Sequence, residues 1–335
     1  MGEVRIESSK ENEAAPFNPT QSTTTVDSAQ LEMKQPESIF DAVRDVPGVM
    51  INGGPRPSGM TFNIRGYNDN EDVRIKLDGV TKQFEKYRFG GTFIEPEMLK
   101  SIEVQRGPQI ASGSGALGGT ISATTKSASD LLGPEQRFGA RAKAGYATNN
   151  YETLSSISAY GRPTGRSDLL VNVLKRDAKD YKLPNGSTYK YSETNTQSGL
   201  LKGSAFLLDD LMLTASLIAF DDSGPQPYDA TGGNPGIGGI VSRTVNDRTF
   251  STTLNYEPGG RWLNARGTVG YSNTKLHDVI RPELSNGLTT PYPPGGGVFN
   301  DYYDYDIWNL DLANTSAMGR LGAISISVLT GLQYG

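Results

Sequence analysis

Residues 137–146 read RFGARAKAGY, and the pattern of this stretch determines the fold class of the chain. Every second position is apolar: Phe138, Ala140, Ala142, Ala144 and Tyr146. Arginine or lysine stands at three of the other positions. Because successive side chains of a β-strand point to opposite faces, this period of two predicts a strand with one apolar and one polar face.

The same alternation recurs along the chain, most clearly over residues 211–219, 250–256, 263–271 and 324–328. We count about nine such strands, several with the roughly 9 to 11 residues that a tilted strand needs to cross a bilayer. Aromatic residues near the strand ends, such as Phe220, Tyr271 and Trp308, are expected to form girdles at the bilayer interface. The pattern predicts a mainly β fold.

Short and long connections alternate between these strands. Tight turns are predicted at residues 162–166, 208–210, 257–261 and 316–320, and longer loops at 179–191, 221–243 and 276–301. Short turns on one side and long extracellular loops on the other are typical of an outer-membrane barrel. We therefore predict part of a transmembrane β-barrel over residues 131–335, in contact with the lipid bilayer. A non-transporting surface β-sandwich, a binding module whose strands alternate equally well, stays open as the alternative.

Composition narrows the function classes. Mean hydropathy is −0.45, and no apolar run reaches the ~18 residues of a spanning helix. The chain has no cysteine and a single histidine, His277, so few residues are left for a nucleophilic, metal or histidine-based enzyme. We predict no enzymatic activity, no bound metal and no intrinsic cofactor. The net charge is −5 and basic residues are scattered among acidic ones, so nucleic acid is not an expected partner.

The N-terminal part has a different character. Residues 1–28 are rich in Glu, Ser and Thr and are predicted to form a flexible arm. Behind Ser38, a suitable N-cap, apolar residues are spaced for one short helix that ends at Pro47 and Gly48. Short strands are predicted at residues 61–65, 73–77 and 102–105, each closed by a turn motif. Residues 29–130 should therefore form a compact α+β domain.

Four motifs in this domain carry a resemblance to a known family. They are ESIFDAVRDVPGV at 37–49, FNIRGY at 62–67, VRIKLDGV at 73–80, and LKSIEVQRGPQIASGSGALGGTISATTK at 99–126. In this order they resemble the plug of TonB-dependent outer-membrane receptors. The resemblance implies a plug inside a 22-stranded barrel of the bacterial outer membrane, of which this chain would hold about nine strands. Since lipid tolerates no open sheet edge, the chain is expected to be a fragment.

The resemblance also implies a function and partners. The family imports iron-bearing ligands, and its energy comes from the TonB complex, which adds a strand to an N-terminal box. GEVRIES, at residues 2–8, is the candidate box. The run at 113–146 resembles the haem and haemoglobin branch, so haem, free or on a carrier protein, is the favoured ligand. A ferric-siderophore receptor of the same fold is the alternative, because the apical stretch QFEKYRFGGTF at 83–93 lacks the histidine often found in haem receptors.

Candidate site residues follow from these implications. The predicted ligand contacts are Tyr87, Arg88, Phe89, Tyr228, His277 and Tyr292. A phenolate can ligate haem iron, and a guanidinium can bind a propionate or a siderophore carboxylate. His277 is expected at the start of an extracellular loop. Arg65 and Arg106 resemble plug arginines that pair with barrel glutamates, which would lie in the missing half of the barrel, and they are predicted plug–barrel contacts.

Overall fold

The computed structural model describes residues 22–68, 72–82, 92–108, 116–228, 239–284, 300–321 and 324–334. The N-terminal elements are β1 (Ser22–Val26), α1 (Ser28–Lys34), α2 (Ile39–Ala42), β2 (Val49–Gly53), β3 (Met60–Ile64), β4 (Val73–Leu77), β5 (Val80–Lys82), β6 (Leu99–Arg106), β7 (Gly119–Thr125) and α3 (Ala128–Leu131). Short 3₁₀ helices span Pro57–Gly59, Pro96–Met98 and Pro282–Leu284. In the described part of the chain, no helix has the length and apolar character needed to cross a membrane.

The plug is a five-stranded sheet in the order β1-β6-β7-β4-β5, with a separate β2-β3 hairpin. Its apolar face packs with α1, α2 and α3 in one core, which includes Phe40, Ile75 and Ile121. The predicted helix is confirmed as α2, and the Ser38 side chain accepts a hydrogen bond from the backbone N–H of Asp41 at 3.2 Å. The α+β prediction is therefore confirmed.

The predicted flexible arm over residues 1–28 is wrong in its last part. Residues 22–26 form β1 and pair with β6, and Asp27 caps α1 through a reciprocal capping box with Gln30. The sequence STTTV is rich in residues that favour strands, and Val26 is buried in the plug core. These residues therefore belong to the plug sheet. Residues 1–21, which include the candidate TonB box, lie outside the described residues.

Nine further strands form one antiparallel sheet in chain order, which we call the wall. They are β8 (Phe138–Ala147), β9 (Glu152–Thr164), β10 (Ser167–Ala178), β11 (Thr194–Leu208), β12 (Leu211–Pro227), β13 (Ile240–Tyr256), β14 (Ala265–Ile280), β15 (Asn300–Leu321) and β16 (Ile324–Tyr334). Every strand pairs with its neighbours in sequence, as in an up-and-down barrel rather than in two stacked sheets. The described fold is therefore a plug with part of a barrel, and the β-sandwich alternative is wrong.

The predicted alternation is confirmed in the wall. In β8 the side chains of Ala140 and Ala142 are exposed, whereas Arg141 and Lys143 point to the plug and are partly buried. We call the face toward the plug the inner face. Tyr271 and Trp308 lie on the outer face with ring centroids 4.8 Å apart, as expected of girdle residues. Phe220 instead points inward and is buried against the plug, so it is not a girdle residue.

Three predicted connections differ from the structure. Residues 316–320 lie inside β15, which extends to Leu321, and they pair with β16 around a register shift between Ala317 and Gly319. The strands that flank the loops predicted at 221–243 and 276–301 extend further than expected, to Pro227 and Ile280. Long strands with continuous pairing replace much of those predicted loops.

Candidate functional site

The plug contacts the inner face of the wall through buried ion pairs. Arg176 of β10 donates from Nη2 to Oε1 of Glu95 in the plug at 2.7 Å, and its Nη1 also donates to Glu152 of β9. All three side chains are buried. Because a buried charge is costly unless it is paired, this triad fixes the segment before Pro96–Met98 against β9 and β10.

Lys202 of β11 binds the turn between β4 and β5. Its Nζ lies 3.4 Å from Oδ1 of Asp78 and donates to the carbonyl oxygen and Oγ1 of Thr125 at 3.0 and 3.1 Å. Asp78 also accepts hydrogen bonds from the backbone N–H and hydroxyl of Thr125. Burial opposes the ionised form of Asp78, but the Lys202 charge and these hydrogen bonds outweigh it and hold the pKa of Asp78 below its ordinary value.

Lys82, at the end of β5, points into β13 and β14. Its Nζ donates to both carboxylate oxygens of Asp247 at 2.6 and 2.8 Å, to Thr249 Oγ1 at 2.7 Å and to Ser272 Oγ at 2.8 Å. Both members of the ion pair are buried. All of these hydrogen bonds from the Lys82 ammonium group are accepted by wall side chains. They hold β5, the plug strand that precedes the apical stretch, at its last residue.

Arg56 makes the corresponding contact to β12. Its side chain is 0% exposed, and Nη2 donates to Oδ1 of Asp222 at 2.5 Å and to the carbonyl oxygen of Ser223 at 3.0 Å. Gly224 lies against the guanidinium with a φ of +152°, and a Cβ at this position would overlap Nη1. Glycine is therefore required for this close approach.

These contacts divide the wall into two regions of opposite charge. Strands β8, β10 and β11 present cations to acidic plug residues, in the pairs Arg141–Glu32, Lys143–Glu97, Arg176–Glu95 and Lys202–Asp78. Strands β12 and β13 present carboxylates to plug cations, in the pairs Asp222–Arg56 and Asp247–Lys82. Rotating the plug by one or two strands would place like charges together at the border. The charge pattern thus specifies the orientation of the plug in the wall.

A cluster of aromatic side chains lies at the outer ends of β12 to β15. Phe93, which follows the apical stretch, packs on Phe220 with ring centroids 5.9 Å apart, together with Val245 and Leu276. The side chains that pack against these four are Tyr228, Tyr303 and Tyr305. We call these seven residues the outer aromatic cluster. It lies between the plug and the predicted extracellular loops, with phenols beside apolar side chains.

The predicted ligand residues are distributed over different places. Tyr228 belongs to the outer aromatic cluster. His277 was expected in a loop, but it lies within β14, pairs with Tyr302 in register and stacks on its ring at a centroid distance of 4.0 Å. His277 follows the buried inward residue Leu276, so it points to the opposite face from the cluster. Tyr87, Arg88, Phe89 and Tyr292 lie outside the described residues.

Arg65 and Arg106 lie within the plug. Arg106 donates from Nη1 to the carbonyl oxygen of Pro47 at 2.5 Å and from Nη2 to Thr24 Oγ1 at 2.9 Å. Arg65 is exposed and has a φ of 56°. Their contacts with the rest of the barrel stay a prediction. The contacts between the plug and the described wall involve residues that were not predicted from the sequence, chiefly Arg56, Lys82 and Glu95. Charged residues at inward positions of the strands, such as Arg176 and Asp247, are the sequence signal that could have predicted these plug–wall contacts.

Among the described residues, no group of three or more histidine or acidic side chains is arranged to hold a metal ion.

The geometry defines a class of protein: one in which a plug domain packs against the inner face of part of a β-barrel. Comparison with known proteins agrees. Residues 16–120 match the TonB-dependent receptor plug domain. The TonB-dependent heme receptor A of Haemophilus ducreyi is 33% identical in an alignment 326 residues long, which covers 91% of this chain and 43% of the relative. The hemin receptor of Yersinia pestis is 29% identical over 82% of this chain and 40% of its own length.

Solved structures agree on the fold. The FrpB iron transporter of Neisseria meningitidis (F3-3 variant) matches with a TM-score of 0.77 at 20% identity, over 94% of this chain and 48% of that one. The Serratia marcescens hemophore receptor HasR, solved with its hemophore HasA and heme, matches with a TM-score of 0.74 at 18% identity, over 93% and 44%. The chain belongs to the TonB-dependent outer-membrane receptors, and it spans less than half the length of these relatives.

Proposed function

We propose that this chain is the plug and the first part of the barrel of a receptor that imports haem across the outer membrane. The observation that carries the proposal is the 33% identity to a heme receptor, which extends over 91% of this chain and so includes both plug and wall. In this proposal residues 22–130, which include β1, act as the plug, and residues 131–335 act as part of the barrel. The change of sheet between Thr125 and Phe138 supports that division.

The outer aromatic cluster supports a ligand of this class. Haem is a planar aromatic ring system, and the partly buried Tyr228, Tyr303 and Tyr305 are the aromatic side chains that the cluster offers to such a ligand, whereas Phe93 and Phe220 are buried in contact with each other. Tyr303 and Tyr228 add phenol groups that are hydrogen-bonded to each other, and Tyr303 also donates to Asp301 at 2.9 Å, so both are proposed as aromatic contacts to the ligand. In the proposal the wall side of the site is this cluster, and Tyr87, Arg88 and Phe89 of the apical stretch complete it from the plug.

Energy for import must come from outside this chain, since an outer-membrane protein has no nucleotide supply. We therefore propose TonB as a partner that pairs with a segment before β1. The plug sheet supports such a contact, because β1 is its edge strand and continues directly from the N-terminal residues. An edge strand is where added strands pair.

Growth of iron-limited bacteria tests the proposal. The receptor, in a strain without other haem and siderophore receptors, should support growth on haem as iron source, and deletion of tonB should abolish that growth. Growth that persists without TonB would contradict energy coupling. Failure of haem to support growth or to bind isolated outer membranes would contradict the ligand assignment.

A ferric siderophore is the second candidate ligand. The observation that favours it is the absence of histidine from the apical stretch at residues 83–93, where a tyrosine and an arginine stand instead. Catecholate and carboxylate chelates suit those groups as well as haem does. Growth on a ferric siderophore but not on haem, in the same strain, would establish this candidate.

A further inference from the structure

The plug sheet has a polar face that the established contacts do not use. In β4 the side chains of Val73, Ile75 and Leu77 are buried in the core, so Arg74 and Lys76 point to the other face. Their neighbours on that face are small hydroxyl residues, because Arg74 pairs with Thr120 and Lys76 pairs with Ser122 and Thr81. This face therefore carries two cations on a hydroxyl-lined surface.

The wall adds a third cation. Arg266 of β14 is two residues from the inward residue Thr268, so it lies on the same, inner face of the wall. Its Nη2 lies 4.0 Å from the position that a Cβ on Gly79 would occupy. Gly79 is in the turn that joins β4 to β5. Arg266 thus reaches the plug at the lower end of the β4–β5 hairpin. We call Arg74, Lys76 and Arg266 the cation ladder.

The three cations are ordered by height in the barrel. Gly79 lies against Thr268, and Val80 lies against Gly270, two residues further up β14 toward the outer loops. Lys76 pairs with Thr81, above that level, and Arg74 lies two residues higher along β4, about 6.6 Å away. The ladder therefore descends from Arg74 through Lys76 to Arg266.

These cations differ from the charges that hold the plug in place. Within the described ranges, none of the three donates a hydrogen bond or forms an ion pair, whereas Arg56 and Lys82 are paired with carboxylates. Burial lowers the pKa of Lys76, Asp311 raises it in part, and the charges of Arg74 and Arg266 lower it again. Burial also lowers the pKa of Arg74. Cations kept close together and partly out of water attract an anion strongly.

We propose that the cation ladder binds the carboxylate groups of the transported ligand on its way between the plug sheet and strands β14 and β15. This rests on the proposed function as an importer and adds the chemical class of ligand that the inner path selects, an anionic chelate or tetrapyrrole. Arg74 and Arg266 offer planar donor groups for a carboxylate, and Lys76 offers a point charge between them. Ser122 and Thr81 keep the surrounding surface polar, and the carboxylate of Asp311 on β15 offsets part of the positive charge of Lys76.

Paired uptake assays test the role. Haem carries two propionates and its dimethyl ester carries none, so the two separate charge from shape. In cells with the Arg74→Gln, Lys76→Gln double variant, haem uptake should fall at least about tenfold, which is the loss expected for one charge-assisted hydrogen bond. Uptake of the ester and binding of haem at the cell surface should stay at the level of the original receptor. Lys182→Gln, in an exposed outer loop, is the control and should change neither.

An equal loss for haem and ester would overturn the proposal, since it would show that the cations only stabilise the barrel. Unchanged uptake of both would overturn it as well. A receptor that neither binds nor imports haem would instead contradict the proposed function, and the ladder is then tested without transport. In the purified receptor, acetylation of Lys76 by acetic anhydride should be slowed at least about fivefold by citrate, with Lys182 unaffected. Equal labelling with and without citrate would overturn the anion site.

Discussion

Lys82 of the plug and Asp247 of the wall form a buried ion pair in which one ammonium group contacts both carboxylate oxygens, at 2.6 and 2.8 Å. The pair joins β5 to β13 across 165 residues of sequence. Asp247 also accepts a hydrogen bond from Thr274 Oγ1, so the carboxylate is held from two strands. This ion pair holds the last residue of β5, directly before the apical stretch in the sequence, at a fixed point of the wall.

We expect Lys82→Met to destabilise the receptor by about 3–5 kcal/mol, because Asp247 would be left as an unpaired buried charge. Adding Asp247→Leu should recover part of this loss by removing that charge. Urea unfolding in detergent measures both effects. The exposed pair Arg166–Asp209 is the control, and Arg166→Met should cost at most about 1 kcal/mol. A double variant as unstable as the sum of both single variants would contradict the coupling.

Gly270 of β14 should tolerate no side chain. A Cβ at this position would lie 2.9 Å from Cγ1 of Val80 and nearer still to Cγ2, so Gly270→Ala would push the plug hairpin away from the wall. We expect a cost of about 1–3 kcal/mol, partly recovered by Val80→Ala. Gly199→Ala is the matched strand control, because its Cβ would have ordinary contacts at 3.9 Å. Equal thermal stability of the two alanine variants would contradict this packing argument.

The pKa of Asp78 gives a pH dependence with a defined sign. Its folded value is lowered below its unfolded value of about 3.9, so its stabilising contribution is present above that pH and is lost as the pH falls through the folded value. We expect Asp78→Asn to flatten the fall in unfolding free energy between about pH 4 and pH 2. Unfolding curves at several pH values measure this. If the unfolding free energy of the variant falls with acid as steeply as that of the original receptor, other carboxylates cause the acid dependence.

Membrane topology can be tested because the chain has no native cysteine. We expect single cysteines at Pro184, in an outer loop, to react with an impermeant maleimide on intact cells, and cysteines at Gly165, in a tight turn, to react only after the outer membrane is opened. Both positions are exposed in the structure, so access to the two sides of the membrane is the difference between them. Equal labelling on intact cells would reverse or refute the assignment of sides.

Local patterns determined what the sequence could predict. The side-chain parity of residues such as Ala140 and Lys143 follows from the period of a strand, so strand number and faces were predictable. The turn expected at 316–320 failed because Gly319 lies at a register shift inside a paired strand, and glycine is equally common at turns and at such irregularities. Arg56 and Asp222 are 166 residues apart, and no local pattern pairs two charges over that distance.

The ligand site yields the last prediction, which uses two neighbouring tyrosines of β15. Tyr303 belongs to the outer aromatic cluster on the inner face, whereas Tyr302 is 71% exposed and stacks on His277 on the opposite face. Tyr303→Ala should weaken haem binding by about 2 kcal/mol, roughly thirtyfold, as expected for an aromatic anchor. Tyr302→Ala and His277→Ala should leave the Kd unchanged. Titration of haem into the purified receptor measures all three variants. If His277→Ala loses affinity and Tyr303→Ala binds haem fully, the ligand does not bind at the outer aromatic cluster.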